Sequence, residues 1–261
     1  MNIIPEIAAR AAEYTTLRRD LHAHPELGFQ EERTAGIVAD LLHAWGIEVH
    51  RGIGGTGVVG VIRSDRPGQP AGRRIGLRAD MDALPMDEAT GLPHASKIAG
   101  RFHGCGHDGH TVMLLAAARH LAETRDFTGT VILIFQPAEE GLGGAARMLA
   151  DGLFTRFPCD EVYALHNWPG APLGRISLKP GVAMAAADSF DIVIRGRGAH
   201  GAQPHFAIDP VMVATAITQA LQTIVSRNID PLRSAILSVT RIEAGSAYNV
   251  IPETAHLGGT I

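Results

Sequence analysis

Residues 131–135 read Val-Ile-Leu-Ile-Phe, with no polar residue at any alternate position. A strand with one wet face alternates, so a run without alternation has to be covered on both sides. That requirement points to a sheet held between layers of helix. Further short apolar runs of strand type lie at 57–62, 74–79 and 162–165. Helical periodicity occupies 5–22, with Ile7, Ala11, Tyr14 and Leu17 on one stripe. It returns at 31–45, where Ile37, Leu41 and Leu42 keep phase and Gly46 stands where a left-handed cap belongs. Two more helices are predicted at 109–122 and at 143–150, the latter closed by Gly152. Strands alternating with helices predict an α/β fold with a mixed sheet covered by helices.

The pattern changes after about Pro180. Residues 189–195 alternate, with Phe190, Ile192 and Ile194 opposite Asp191, Val193 and Arg195, as in a half-exposed antiparallel strand. Asp209-Pro210 opens a helix to about Ser226, with Asp as N-cap and Pro in the first turn. Strands follow at 235–242 and from 255 to 261, where the chain stops inside a strand-like segment. A domain boundary is placed within 181–187, at a run of small residues. The length of 261 residues allows one to two domains.

Charge and composition exclude several classes. With 23 basic and 27 acidic residues the net charge is −4, which disfavours nucleic acid as a main partner. No run approaches the ~18 uncharged apolar residues of a membrane span. The amino terminus lacks a basic start before an apolar core, so no secretory signal is expected and the protein is read as cytoplasmic. Cys105 lies among histidines, which suits metal or redox chemistry better than a disulfide with Cys159. Trp45 and Trp168 are expected to be packing residues.

Four strand ends carry chemistry. The densest is His103-Gly-Cys105-Gly-His107-Asp108-Gly-His110. Thiolate, imidazole and carboxylate are the groups that hold metals, and the interleaved glycines let near neighbours converge. Cys105 and His107, two apart, fit one centre, and not all four side chains need be ligands. Gln136-Pro-Ala-Glu139-Glu140-Gly follows the buried strand. In extended backbone these two glutamates point opposite ways, one to a metal and one to a water or substrate. His166 follows the strand at 162–165, and Asp80 and Asp82 follow that at 74–79. Asp80 is read as a helix-cap or turn residue. Ligands and catalytic groups collect at such carboxyl ends.

Seven segments, HAHPELGFQE (22–31), RADMDALP (78–85), HGCGHDGHT (103–111), FQPAEEG (135–141), LHN (165–167), GRGAHGAQPH (196–205) and YNVIP (248–252), span the chain in order. Together they resemble the M20 metallopeptidase clan, in particular its amidohydrolase subfamily of hippurate hydrolases, N-acyl-amino-acid hydrolases and auxin-conjugate hydrolases. The resemblance implies an α/β catalytic domain with two divalent metal ions, interrupted by a smaller α/β lid that often dimerises. Residues 1–183 would be the amino-terminal part of the catalytic domain and 184–261 an incomplete lid or dimerisation domain. It further implies Cys105, His107, Glu140 and His166 as metal ligands and Glu139 as general base. Asp82 would orient a ligand histidine, His200 would stabilise the oxyanion, and Asn249 would lie near the substrate carboxylate. The metals implied are zinc or manganese, with cobalt and nickel also compatible. The substrate implied is a small N-acyl amino acid, and homodimerisation through the lid is open.

The family's pattern continues beyond Ile261 with another histidine ligand and an arginine, so the chain is expected to be truncated at its carboxyl end, with an unfinished edge on the lid sheet. Two alternatives stay open. One is a non-catalytic relative that binds or dimerises. The other is a thiol amidase in which His107 activates Cys105.

Overall fold

The computed structural model describes residues 3–64, 72–182 and 184–261. The chain divides into two compact units, Met1–Arg175 and Ile176–Ile261. Ala183, at the expected boundary 183/184, lies outside the described residues.

The first unit contains α1 (Pro5–Ala8), α2 (Ala11–Ala23), α3 (Glu32–Ala44), β1 (Glu48–Ile53), β2 (Gly57–Ser64), β3 (Arg74–Asp80), α4 (His107–Thr124), β4 (Gly129–Gln136), α5 (Gly144–Ala150), α6 (Leu153–Arg156) and β5 (Glu161–Ala164). The sheet order is β1-β2-β4-β3-β5. β2 is antiparallel to β1 and β4, whereas β3 is parallel to β4 and β5. The sheet is therefore mixed, as expected.

β4 is the strand that lacks polar alternation, and both of its faces are covered. Val131, Leu133 and Phe135 join Val38 and Leu42 of α3 and Leu114 and Leu115 of α4. Ile132 and Ile134 face the other way, against Met148 of α5 and Leu153 of α6. Apolar area removed from water stabilises by about 25 cal/mol per Å², and β4 collects that contribution on two sides.

Two local expectations need correction. The helix predicted over 5–22 is two helices, because the Arg10 N–H bonds the Ile7 carbonyl at 3.1 Å and closes a tight turn. β1, EVHRGI, was not anticipated: it is an edge strand in which Glu48 and Arg51 are exposed and His50 is half-buried.

Because β3, β4 and β5 are parallel, their carboxyl ends lie on one side of the sheet. α4 connects β3 to β4, so its first residue, His107, starts at that side too. Asp80 ends β3, Gln136 ends β4, and His166 follows β5 by two residues.

The second unit contains β6 (Ser189–Arg195), β7 (Ala199–His200), α7 (Pro210–Thr223), β8 (Ser238–Ala244), β9 (Val250–Ile251) and β10 (Thr254–Thr260). β6-β10-β8 form an antiparallel sheet. β10 is the central strand, bonded on both sides, and β6 and β8 form the two edges of this sheet. Ala214 of α7 packs on Ile194, Ala255 and Leu257. α7 gives way to a π turn at Ile224–Asn228.

Asp209 caps α7 by accepting from the Val211 N–H at 2.9 Å, with Pro210 in the first turn. Asp209→Ala is expected to cost about 0.5–2 kcal/mol, read from the thermal unfolding of the chain. An unchanged transition would show that the cap contributes nothing. Among the described residues, no helix is long and apolar enough to cross a membrane.

Candidate metal centre

His107 is the centre of the cluster, fully buried at the start of α4. Its Nδ1 lies 2.8 Å from the Asp82 carbonyl and 3.3 Å from the Asp82 carboxylate. A carbonyl can only accept, so Nδ1 carries the proton and donates. That leaves the Nε2 lone pair bare, and Nε2 is buried with no hydrogen-bond partner. Around it stand Asp80 Oδ2 at 3.7 Å, Glu140 Oε1 at 3.7 Å and Glu139 Oε2 at 4.0 Å. Glu140 Oε1 is likewise buried and unpartnered. Two orphaned atoms of metal-ligating type facing each other fit a cation between them, because an unpaired buried polar group otherwise carries its full desolvation cost.

Cys105 and His166 complete the cluster. Cys105 Sγ lies 3.3 Å from His166 Nε2. His166 Nδ1 donates to the Asn167 carbonyl at 2.7 Å, which turns the Nε2 lone pair toward the Cys105 thiol. Ligand histidines are commonly set in this way, with the second ring nitrogen donating to a carbonyl or carboxylate. Cys105, His107 and His166 offer ligand atoms that all lie within 4.8 Å of one another, as do those of His107, Glu139 and Glu140, and of Asp80, His107 and His110.

The electrostatics are those of a pocket rich in acidic groups. Burial, with Glu140, Glu139 and Asp80 nearby, pushes the Cys105 thiol up to about 12. Burial also raises Glu140, reinforced by Glu139 and Asp82 and opposed by His107. Burial works against an ionised Asp80, yet His110, His107 and Arg78 hold its carboxyl at about 2. The near neighbour of the Cys105 thiol is His166 and not His107, which disfavours the thiol amidase with His107 as activator.

Both glutamates turn toward His107, contrary to the extended-backbone expectation of opposite directions. The backbone is not extended there. Ala138 has φ +49°, a conformation that costs a non-glycine residue roughly 1–3 kcal/mol. The Gly141 N–H then bonds the Glu139 carbonyl at 2.7 Å. Asp82 Oδ2 accepts the Glu140 N–H at 2.9 Å, so one aspartate orients His107 and also pins the glutamate loop.

Several participants were missed in the sequence. Asp80, read as a helix-cap or turn residue, is buried and accepts from His110 Nδ1 at 2.6 Å and from Arg78 at 2.7 Å. His110 Nε2 accepts the Asn167 N–H at 3.0 Å, and the Asn167 side-chain amide lies against the same nitrogen. The line Asp80–His110–Asn167 thus anchors the segment that carries His166. The only sequence cue was position, since Asp80 ends a strand parallel to β4. Trp168, expected to pack, is 68% exposed.

His200 and Asn249 lie in the second unit. β7 pairs with β9, His200 opposite Val250, and the Gly201 N–H bonds the Asn249 carbonyl at 2.7 Å, so the two residues share one edge. Both are exposed.

The profile of peptidase family M20/M25/M40 matches residues 76–255. The chain belongs to this family. Among its relatives, the hippurate hydrolase of Campylobacter jejuni is 49% identical over 98% of this chain and 65% of its own. The N-acetyl-L-cysteine deacetylase of Bacillus subtilis is 46% identical over 94% of this chain and 58% of its own. A solved M20 structure, the B. subtilis YXEP protein, described as a dinuclear metal binding peptidase, superposes with a TM-score of 0.72 at 38% identity, over 97% of this chain and 64% of its own. The chain therefore spans about 58–65% of the length of these family members.

Proposed function

We propose that this chain carries the metal-holding part of an amidohydrolase that cleaves N-acyl amino acids to a carboxylic acid and an amino acid. The observation that carries the reading is the pair of buried, unpartnered atoms, His107 Nε2 and Glu140 Oε1, 3.7 Å apart with Glu139 beside them. The hippurate hydrolase and deacetylase relatives support the substrate class. Cys105, His107, Glu140 and His166 would hold two divalent ions, zinc or manganese, with cobalt or nickel also suited to this mixed donor set. Such ions supply a Lewis acid for the amide carbonyl and lower the pKa of water.

The chain's own residues supply the proton chemistry. Glu139, with its side chain 42% exposed, accepts a proton from the attacking water. A C–O bond forms as the carbonyl opens. Glu139 then returns the proton to the leaving nitrogen as the C–N bond breaks. Asp82 keeps the His107 proton on Nδ1. His200 is assigned to the oxyanion: its Nδ1 accepts the Ala202 N–H at 3.1 Å, so its proton sits on Nε2, ready to be donated. Asn249 is assigned to the substrate carboxylate. The unit Ile176–Ile261 would act as lid and homodimer contact, and the protein would work in the cytoplasm.

The deciding experiment is elemental analysis of the purified chain alongside assays with hippurate and N-acetylcysteine, before and after chelation. The expected result is two ions per chain and a hydrolysis that chelator removes and added metal restores. A folded chain that takes up no divalent ion overturns the reading. Bound metal without turnover points to the non-catalytic alternative.

A further inference from the structure

The first motif, residues 22–31, has no part in the chemistry above, yet it grips both loops that supply it. The Glu26 carboxylate caps α3, accepting from the Arg33 and Thr34 N–H groups at 3.0 and 2.8 Å. The Glu26 carbonyl accepts the Ala83 N–H at 2.8 Å, one residue beyond Asp82. Gly28 lies so close to Ala138 that a Cβ on it would sit 2.9 Å from the Ala138 Cβ. Glu31 is 0% exposed. Its Oε1 accepts the Ala138 N–H at 2.8 Å, and its Oε2 accepts the Thr56 hydroxyl at 2.5 Å.

A carboxyl group with no solvent contact carries a desolvation cost that its hydrogen-bond partners must offset. Here the partner is the backbone N–H of a left-handed alanine directly before Glu139. That conformation is what turns Glu139 and Glu140 to the same side.

We propose that Glu31 is a positioning residue that holds Ala138 left-handed and thereby aims Glu139 and Glu140 at the metal centre. The inference rests on the proposed roles of those two glutamates. Glu31 touches neither substrate nor metal and acts through the loop. An uncharged amide can fill the same place, since its oxygen accepts from Ala138 and its NH₂ donates to the Thr56 hydroxyl. The carboxylate itself is therefore dispensable, whereas the acceptor is not.

The test compares the full chain with Glu31→Ala and Glu31→Gln by Co²⁺ titration, the cobalt absorption spectrum, and hydrogen exchange of the metal-free protein. Glu31→Ala should weaken Co²⁺ binding by roughly 10–100-fold, alter the cobalt spectrum, and lose exchange protection at 137–141 while β4 stays protected. Glu31→Gln should match the parent in all three. If Glu31→Ala does not fold, Glu31→Asp, whose carboxylate is one methylene short, must show the same losses. A folded Ala or Asp variant with parental cobalt affinity, spectrum and exchange overturns the proposal. So does a general loss of protection throughout the unit, which a merely structural role would produce. If the parent itself binds no Co²⁺, the metal reading fails. Glu31 is then judged on exchange alone: loss confined to 137–141 supports positioning, and unchanged protection overturns it.

Discussion

Glu139→Ala is expected to lower the kcat for N-acyl amino acid hydrolysis by roughly 10²–10⁴-fold, with the metal content of the chain unchanged. The two neighbouring glutamates are not equivalent. Glu140 is tied by its N–H to Asp82, and its Oε1 is buried and without a partner. That is the setting of a ligand. The Glu139 side chain is nearly twice as exposed, at 42% against 23%, so a water can reach it. Removing Glu139 takes away a proton carrier, whereas Glu140→Ala should release metal. Stopped-time assays with hippurate, paired with elemental analysis, separate the two. Turnover that survives Glu139→Ala defeats the assignment, and metal loss from Glu139→Ala instead of Glu140→Ala would exchange the two roles.

Phe135→Ala carries the largest expected effect on stability. Phe135 is fully buried on the face of β4 that packs against α3 and α4. Truncating a buried phenylalanine costs about 3–5 kcal/mol, the transfer term and the cavity together. For a unit of this size that corresponds to a fall in Tm of roughly 6–20 °C. Phe154, 41% exposed on α6, is the comparison, and its alanine variant should shift Tm by only a small fraction of that. Equal shifts for the two variants in calorimetry would mean that β4 is not the centre of the core.

Phe135 also shows what was legible in advance. A short unbroken apolar run of β-branched and aromatic residues reads as a strand covered twice, because either face left wet would expose it. The glycine-spaced histidines and Cys105 were legible for a similar reason, since so many ligand-type side chains in eight residues have few other uses. The paired strand β7–β9 was not legible, for each strand has two residues and no period can show in so short a span. Nor were the contacts of His22, which is buried and held by Asp108 at 2.9 Å and Glu88 at 3.3 Å. Its partners lie 86 and 66 residues away, beyond the reach of any local pattern.

Local order along the chain was therefore enough for the α/β class, the buried β4, the cap of α7 and the choice of Cys105, His107, Glu139, Glu140 and His166 as candidates. These depend on periodicity and on the chemistry of neighbouring residues, both of which are written in the linear order. The tertiary structure alone decided that the two glutamates face one histidine, that Asp80 and His110 anchor the His166 segment, and that Glu31 grips Ala138. Each of those facts depends on a backbone angle or on a contact between segments distant in sequence. Only the parallel packing of β3, β4 and β5 brings their carboxyl ends, and the residues that follow them, to one place.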